Sequence, residues 1–334
     1  MKIFYMEENK MNQMLKLPIA CGVFITRKCD LRCEYCNIPN NEVDKELNIE
    51  QWKRAVKILE KNGVKNINFL GGEPTLYDGI TELIKYISQN TGMTCSMVTN
   101  ANDTNKYAII DKLIDNGLNR ISVIVDNLVF DNSISSIKSK SGLALVDYII
   151  KKGHLKKDNF VLRDYCVLNT KNLDNLMEIV DYFDGKGVHL YFLPYHWSAE
   201  SDYEHRKQIV PLAITQESDL NKLKSQCEKL IELKKRGVLL DNSYEFFESL
   251  PKYIEKLNWH CSRLSEIRID YNGKMMCCCD RKGSVYEEFT IFDLETETNL
   301  EKFLLQRQYD SSQCRGCIWP SSFEYEIESK KING

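Results

Sequence analysis

No run of 18 or more apolar residues occurs anywhere in the 334-residue sequence, so no segment is expected to span a membrane. The N-terminus lacks the charged-then-apolar order of a signal peptide, and the expected location is cytoplasmic. Charge of one sign is not in excess: 45 Lys and Arg stand against 48 Asp and Glu, a net charge of −3. That balance gives no pull towards nucleic acid or an anionic membrane. The one short basic run, Lys151, Lys152, Lys156 and Lys157, reads as a solvated helix end. Internal repeats and low-complexity tracts are also missing. With 43% hydrophobic and 28% charged residues, what remains is an ordinary globular chain, long enough for one large domain and a small appended one.

Cysteine, by contrast, is abundant. The chain has 13, and in a long untargeted sequence a secreted disulfide scaffold is a poor explanation. Clustered cysteines in a reducing compartment bind metal or do chemistry. One group is Cys29, Cys33 and Cys36; the other is Cys261, Cys277, Cys278, Cys279, Cys314 and Cys317, while Cys21, Cys95, Cys166 and Cys227 are scattered.

Between about residues 18 and 197, short β-branched and aromatic runs alternate with amphipathic segments. The runs cover 19–26, 66–71, 94–100, 120–127, 159–169 and 188–195; the helical patterns lie near 49–62, 78–90, 104–116, 142–152 and 173–186. Asn48 with Gln51 forms a capping-box pattern, and Gly63, Gly117 and Gly153 stand where helices should stop. Six strands alternating with five helices imply an α/β fold with a parallel sheet and right-handed crossovers. Six units are too few for an eight-stranded barrel, which leaves a partial barrel or an open doubly wound sheet. In both, function belongs at the C-terminal ends of the strands. Beyond 197 come a polar loop, helical patterns at 216–236 and 244–257, a hairpin signal around Asn272-Gly273 and a further helix over 298–308.

Cys29, Cys33 and Cys36 follow the first strand with the spacing C-x3-C-x2-C. A [4Fe–4S] cluster ordinarily takes four thiolates; three leave one iron free to bind and reduce a ligand. A zinc site completed by a distant residue is the alternative. The second strand ends in Gly71-Gly72-Glu73-Pro74, where two glycines permit close backbone approach and a carboxylate can accept bonds from an ammonium group.

Together, CDLRCEYC and GGEP resemble the radical S-adenosylmethionine (SAM) superfamily, over roughly 18–197. The resemblance implies a partial (β/α)6 barrel, with SAM chelating the fourth iron of a cluster held by Cys29, Cys33 and Cys36. It implies that Gly71, Gly72, Glu73 and Pro74 line the methionine ammonium and that Tyr35 lies near the adenine. Thr99, Asn100, Ser122 and Asp126 resemble positions that contact the SAM ribose and carboxylate, with Asn169 a further candidate; ordinary strand-end turn chemistry is the alternative for each. The implied reaction reduces the sulfonium, releases methionine and forms a 5′-deoxyadenosyl radical that abstracts hydrogen from a C–H bond. A low-potential electron donor such as flavodoxin or ferredoxin is the expected partner, with no nucleic acid and no membrane.

Cys261, the hairpin glycine Gly273, Cys278 and the later Cys314-x2-Cys317 resemble the twitch domain, a shorter relative of the SPASM extension. The resemblance implies a second, auxiliary [4Fe–4S] cluster on Cys261, Cys278, Cys314 and Cys317, with a structural zinc as the alternative. No cysteine follows Cys317, which favours one auxiliary cluster over two. Alternation along a strand separates Cys278 from Cys277 and Cys279, leaving Cys277 or Cys279 as a core thiol, an alternative ligand or a hydrogen-atom donor, with Cys279 the candidate named for that last role. The expected organisation is a partial barrel over 1–200, a helical linker region over 201–258 and a small α+β iron–sulfur domain over 259–334.

Other residues carry weaker signals. Cys95, Cys166 and Cys227 suit packing, although Cys166 shares a strand face with Asp164 and a lumen-facing role stays open for that face. Arg163 and Tyr165 take the opposite face. His189, Tyr191, His196 and Trp197 are expected near the barrel mouth, as substrate contacts or as packed loop residues. Asp126 is also a candidate general base. The favoured activity is dehydrogenation, epimerisation or a related rearrangement of a small polar metabolite. A peptide maturase is the second reading, weakened by the roughly 18 residues before the first strand. The third is a non-catalytic iron–sulfur or zinc sensor, which would need no SAM cradle.

Overall fold

The computed structural model describes residues 17–33, 36–38, 45–102, 106–131, 133–195, 212–256, 266–276, 278, 285–313 and 319–333. Six strands form in the expected places: β1 Ala20–Thr26, β2 Asn66–Gly71, β3 Thr94–Val98, β4 Arg120–Val123, β5 Val161–Leu168 and β6 His189–Pro194. They alternate with α1 Ile49–Lys61, α2 Ile80–Asn90, α3 Tyr107–Asp115, α4 Ile134–Lys152 and α5 Leu176–Phe183. The Asn48–Gln51 capping box is present at α1, and Gly153 ends α4 in the left-handed region.

All six strands are parallel and neighbours follow chain order, 6-5-4-3-2-1. A doubly wound sheet needs a point where the order reverses, and none occurs. Right-handed crossovers that always step the same way place every helix on one face. The sheet therefore curls as a partial barrel, with helices outside and a lumen inside. Strand β5 displays the two faces: Leu162, Asp164, Cys166 and Leu168 are buried towards the helices, whereas Val161, Arg163, Tyr165 and Val167 are half-buried towards the lumen.

On its other edge β1 pairs in parallel with β7, Glu266–Ile269. The antiparallel strands β8 Lys274–Met276 and β9 Val285–Thr290 then complete one nine-stranded sheet. Gly273 turns the hairpin at φ +86°, within the Asn272-Gly273 signal. Helices α6 Glu217–Lys235 and α7 Tyr244–Lys256 lie beyond β6, and α8 Glu297–Ser312 and α9 Pro320–Asn333 follow β9. Asn242 covers the β6 edge by bonding both the Phe192 N–H and C=O through its side-chain amide, as a neighbouring strand would. Among the described residues, no helix is long and apolar enough to cross a membrane.

Candidate active site

Cys29, Cys33 and Cys36 lie beyond the C-terminal end of β1, half-buried and unbridged. Their loop is fastened to the end of β2 by two backbone bonds, Gly72 N–H to Thr26 O (2.8 Å) and Glu73 N–H to Lys28 O (2.7 Å). A Cβ on Gly71 would stand 2.2 Å from Thr26 O, and one on Gly72 2.1 Å from Lys28 O. The glycines of GGEP thus let one loop backbone lie directly on the other. Close backbone approach at these glycines, expected towards a ligand, is also made to the cysteine loop.

Glu73 is wholly buried, and its carboxylate is the knot of the site. Oε1 accepts from Thr75 N–H (3.2 Å), Thr75 Oγ1 (2.7 Å) and Thr99 Oγ1 (2.8 Å), and Oε2 accepts from Asn100 N–H (2.8 Å). Asn100 in turn donates through Nδ2 to Asp30 Oδ1 (2.7 Å) and lies 3.7 Å from the Cys29 sulfur. Lys106 pairs with the other oxygen of Asp30 at 2.6 Å. Burial pushes the Asp30 carboxyl up, but bonds from Lys106 and Asn100 outweigh it and hold it below its ordinary range. The ends of β1, β2 and β3 are locked together in this way around the first cysteine. Ala101, just past β3, takes φ +54°, a rare conformation for a residue with a Cβ.

An open cleft of about 740 Å³ lies beside this loop and brings Cys33, Asp126 and Asn169 together with Val167 and the serines that begin α4. Asp126 is buried; Oδ1 accepts from Val167 N–H (2.7 Å) and Oδ2 pairs with Lys138 Nζ (3.2 Å). Burial raises the Cys33 thiol, and the Lys138 charge acts against that shift. Asn169 makes a turn with Lys171 and Asn172 at the cleft wall. Ser122 is buried on β4, where its carbonyl accepts the Thr99 N–H (3.0 Å).

Lys138 went unnoticed in the sequence. The available signal was its place on the buried stripe of α4, four residues before Gly142 and seven before Leu145. Arg27 was missed too: it pairs with Asp270 at 2.7 Å and stacks 4.4 Å over the Tyr271 ring, tying the cysteine loop to the β7–β8 turn.

Cys166 is a packing residue as expected, and the open lumen-facing alternative closes because it and Asp164 face the helices. Tyr165 and Arg163 take the lumen face instead. His189 and Tyr191 are not at the mouth: His189 opens β6 at the opposite end of the barrel, 2.8 Å from Asp241. Cys95 and Cys227 are buried in the core as expected. Tyr35, His196, Trp197, Cys261, Cys277, Cys279, Cys314 and Cys317 lie outside the described residues. Cys278 is described, and it packs with Cys36 and Trp319 about one small apolar cluster, Phe24, Ile38 and Met276. The two cysteine groups therefore reach a common patch on the lumen side of β1.

Among the described residues, no three Cys, His, Asp or Glu side chains converge as ligands of a single metal ion. An iron–sulfur cluster makes a different demand, because each thiolate binds its own iron. Three half-buried thiols on a loop pinned where it leaves β1 are a donor set of that kind.

Residues 23–183 match the family model of the radical SAM superfamily. Those residues form a radical SAM domain. SAM and iron–sulfur clusters are the cofactors that go with it, as the motifs implied. A GTP 3′,8-cyclase of Staphylococcus haemolyticus is 30% identical over 189 residues, which cover 52% of this chain and 53% of the relative. A probable GTP 3′,8-cyclase of Methanococcus maripaludis is 28% identical over 276 residues, covering 79% and 85%. The crystal structure of Streptococcus suis SuiB bound to SAM shares the fold at TM-score 0.61 and 17% identity, over 81% of this chain and 63% of SuiB. The chain thus spans about half of the first relative and under two thirds of SuiB, so neither one's activity transfers whole.

Proposed function

We propose that this chain reductively cleaves SAM and abstracts hydrogen from a small polar substrate held in the barrel lumen. The observation that carries the reading is the three-cysteine loop at the end of β1, locked to GGEP and Asn100 and opening on the cleft through Cys33. Cys29, Cys33 and Cys36 would hold the cluster, a family of thiolate ligands suited to iron. Gly71, Gly72, Glu73, Pro74, Thr99 and Asn100 shape the wall for the SAM methionine end; Tyr35, Ser122, Asp126 and Asn169 serve the nucleoside end. When bound, these cofactors supply the electron that splits SAM and the 5′-deoxyadenosyl radical that removes hydrogen from the substrate. The protein's own part is to orient the substrate's C–H bond and to exclude water, while Lys138 pairs with Asp126 and fixes it in the cleft wall.

Cys261, Cys278, Cys314 and Cys317 are proposed ligands of an auxiliary cluster in a twitch-type extension, fed with the first from a low-potential donor. The names of the curated relatives support a small-molecule substrate. A peptide substrate is the second reading: SuiB has been crystallised with its precursor peptide SuiA, and Val129 and Phe130 stand 63% and 43% exposed on the loop that follows Asp126.

The test is anaerobic reconstitution, with iron counted in the wild type and in a Cys29/Cys33/Cys36→Ala triple variant. About eight irons falling to about four, with 5′-deoxyadenosine formed from SAM and reductant only by the wild type, is the expected result. About four falling to none keeps the SAM reading and removes the auxiliary cluster. Zinc in place of iron, unchanged by the triple substitution, overturns the reading and leaves a structural or sensor role.

A further inference from the structure

The end of the lumen away from the cysteine loop carries a row of polar side chains that the proposed SAM chemistry does not use. In register across the sheet, Arg268, Gly22, Asn68, Ser96 and Arg120 are neighbours on β7, β1, β2, β3 and β4. Cross-strand neighbours in register share a face, and the bonds agree: Arg120 Nη2 donates to Ser96 Oγ (3.2 Å), and Ser96 Oγ donates to Asn68 Oδ1 (2.9 Å). One row nearer the mouth lies Arg163, 5.2 Å from the Tyr191 ring and 5.9 Å from the Tyr165 ring; those two rings are themselves 5.5 Å apart.

The cations on this floor differ in how they are matched. Arg163 pairs with Asp241, whose other oxygen bonds His189 at 2.8 Å. Arg268 pairs with Glu266. Arg120 is in no ion pair among the described residues; its one hydrogen bond goes to a neutral hydroxyl, and its Nε is buried without a partner. A guanidinium remains charged in proteins. Holding one in a half-buried lumen without a counter-ion is costly. Asp241 acts on it only at a distance, its direct pairs being with Arg163 and His189.

We infer that Arg120 is the floor of the substrate site and binds an anionic group, a carboxylate or a phosphate, at the far end of the substrate. The inference rests on the proposed function only in calling this anion part of the substrate. The guanidinium fork matches the paired oxygens of either group. Asn68 and Ser96 orient the fork by their relay of hydrogen bonds, and the Tyr165–Tyr191 pair gives the body of the molecule an aromatic wall on the way to the cleft. Arg120 lies six residues before Asp126. At about 3.3 Å per residue the two backbone positions are at most about 20 Å apart, and the inferred anionic group is the end of the substrate remote from the cleft.

The test uses the full chain, reconstituted anaerobically, with inorganic pyrophosphate and glutarate as probes in a thermal-shift titration at low ionic strength. One of the two anions is expected to raise the melting temperature saturably, and which one does so identifies phosphate or carboxylate as the natural group. Arg120→Gln should weaken that binding about ten-fold or more, and Arg120→Lys should fall between, since it keeps the charge and loses the fork. Circular dichroism and iron content check that each variant has folded; if Arg120→Gln has not, Arg120→Lys carries the comparison. No saturable effect of either anion on the wild type, or equal binding by wild type and a folded variant, overturns the inference. Formation of 5′-deoxyadenosine in the same wild-type sample reports separately on the radical chemistry. Anion binding without it keeps the floor site and removes the SAM reading, and the converse result does the opposite.

Discussion

Replacing Gly72 by alanine should strike the site at its tightest point. The added Cβ would stand 2.1 Å from Lys28 O, 2.6 Å from Lys28 C and 2.7 Å from Arg27 O, all backbone atoms with no rotamer to yield. Something must move, and the cysteine loop is the less supported side. Overpacking of this sort costs about 1–3 kcal/mol. The shift would also stretch the Gly72–Thr26 and Glu73–Lys28 backbone bonds, each worth about 0.5–1.5 kcal/mol. The combined loss is about 2–6 kcal/mol, a large part of the roughly 5–15 kcal/mol that holds a typical domain. Urea titration measures it, and iron counting after reconstitution should show about four irons lost, since the displaced loop carries Cys29. Gly92 provides the internal control: nothing lies within 4 Å of a Cβ there, and Gly92→Ala should change stability by no more than about 1 kcal/mol. A Gly72→Ala protein with wild-type midpoint and full iron would refute the claim that these glycines exist for loop-on-loop contact.

Three further outcomes follow from the same geometry. Burial, then repulsion from Asp126, raises the Asp164 carboxyl well above its ordinary range; the unfolded chain releases that proton near pH 4 while the folded one keeps it, so stability from this group is full below about pH 4 and falls as pH rises. Asp164→Asn removes the fall, so the variant should gain on the wild type as pH increases from 4 to 8 in denaturant titrations; a constant difference would contradict the buried, protonated state. Lys138→Met leaves Asp126 buried without its cation and should cost about 3–5 kcal/mol, with much of the loss recovered in Lys138→Met/Asp126→Asn, and a double-mutant cycle with no coupling would show that the 3.2 Å pair is not energetically real. Arg27→Gln breaks the buried pair with Asp270 and the contact over Tyr271; a destabilisation of about 3 kcal/mol in urea is expected, and one under about 0.5 kcal/mol would mean that the hairpin does not brace the cysteine loop.

The strands and helices of the barrel were legible because their residues say the same thing at every level. NINFLG and TCSMV are β-rich runs that become β2 and β3 within two residues of expectation. The N-terminal half of α4 was not. The pattern placed that helix over 142–152, whereas it begins at Ile134. Its early buried positions are Ser136, Lys138 and Ser139, polar residues that bond Asp131, Asp126 and the Asp126 N–H. Hydrophobic periodicity vanishes there because the helix faces a polar site and not a core, and such local disagreements mark function. Alternation along β5 was read correctly as two faces, but nothing in one strand says which face meets the lumen when both are covered. That is why Asp164 and Cys166 seemed open to a lumen role. The GGEP glycines were legible as a place of close backbone approach, but the motif alone does not say that the cysteine loop is one of the things that comes close.

One consequence of the strand order concerns the growing chain. Strand β1 sits inside the finished sheet, with β2 on one side and β7 on the other. The partner on the first side is complete by Gly71, but the second does not begin until Glu266. At about 5–20 residues per second, synthesis of those roughly 200 intervening residues takes about 10–40 s. Throughout that interval the edge of Ala20–Thr26, an apolar strand leading straight into three thiols, has no neighbour. Open apolar edges recruit other chains. The nascent barrel therefore depends on its most distant segment to become safe from aggregation, and truncation anywhere before β7 leaves the cysteine strand as the exposed flank.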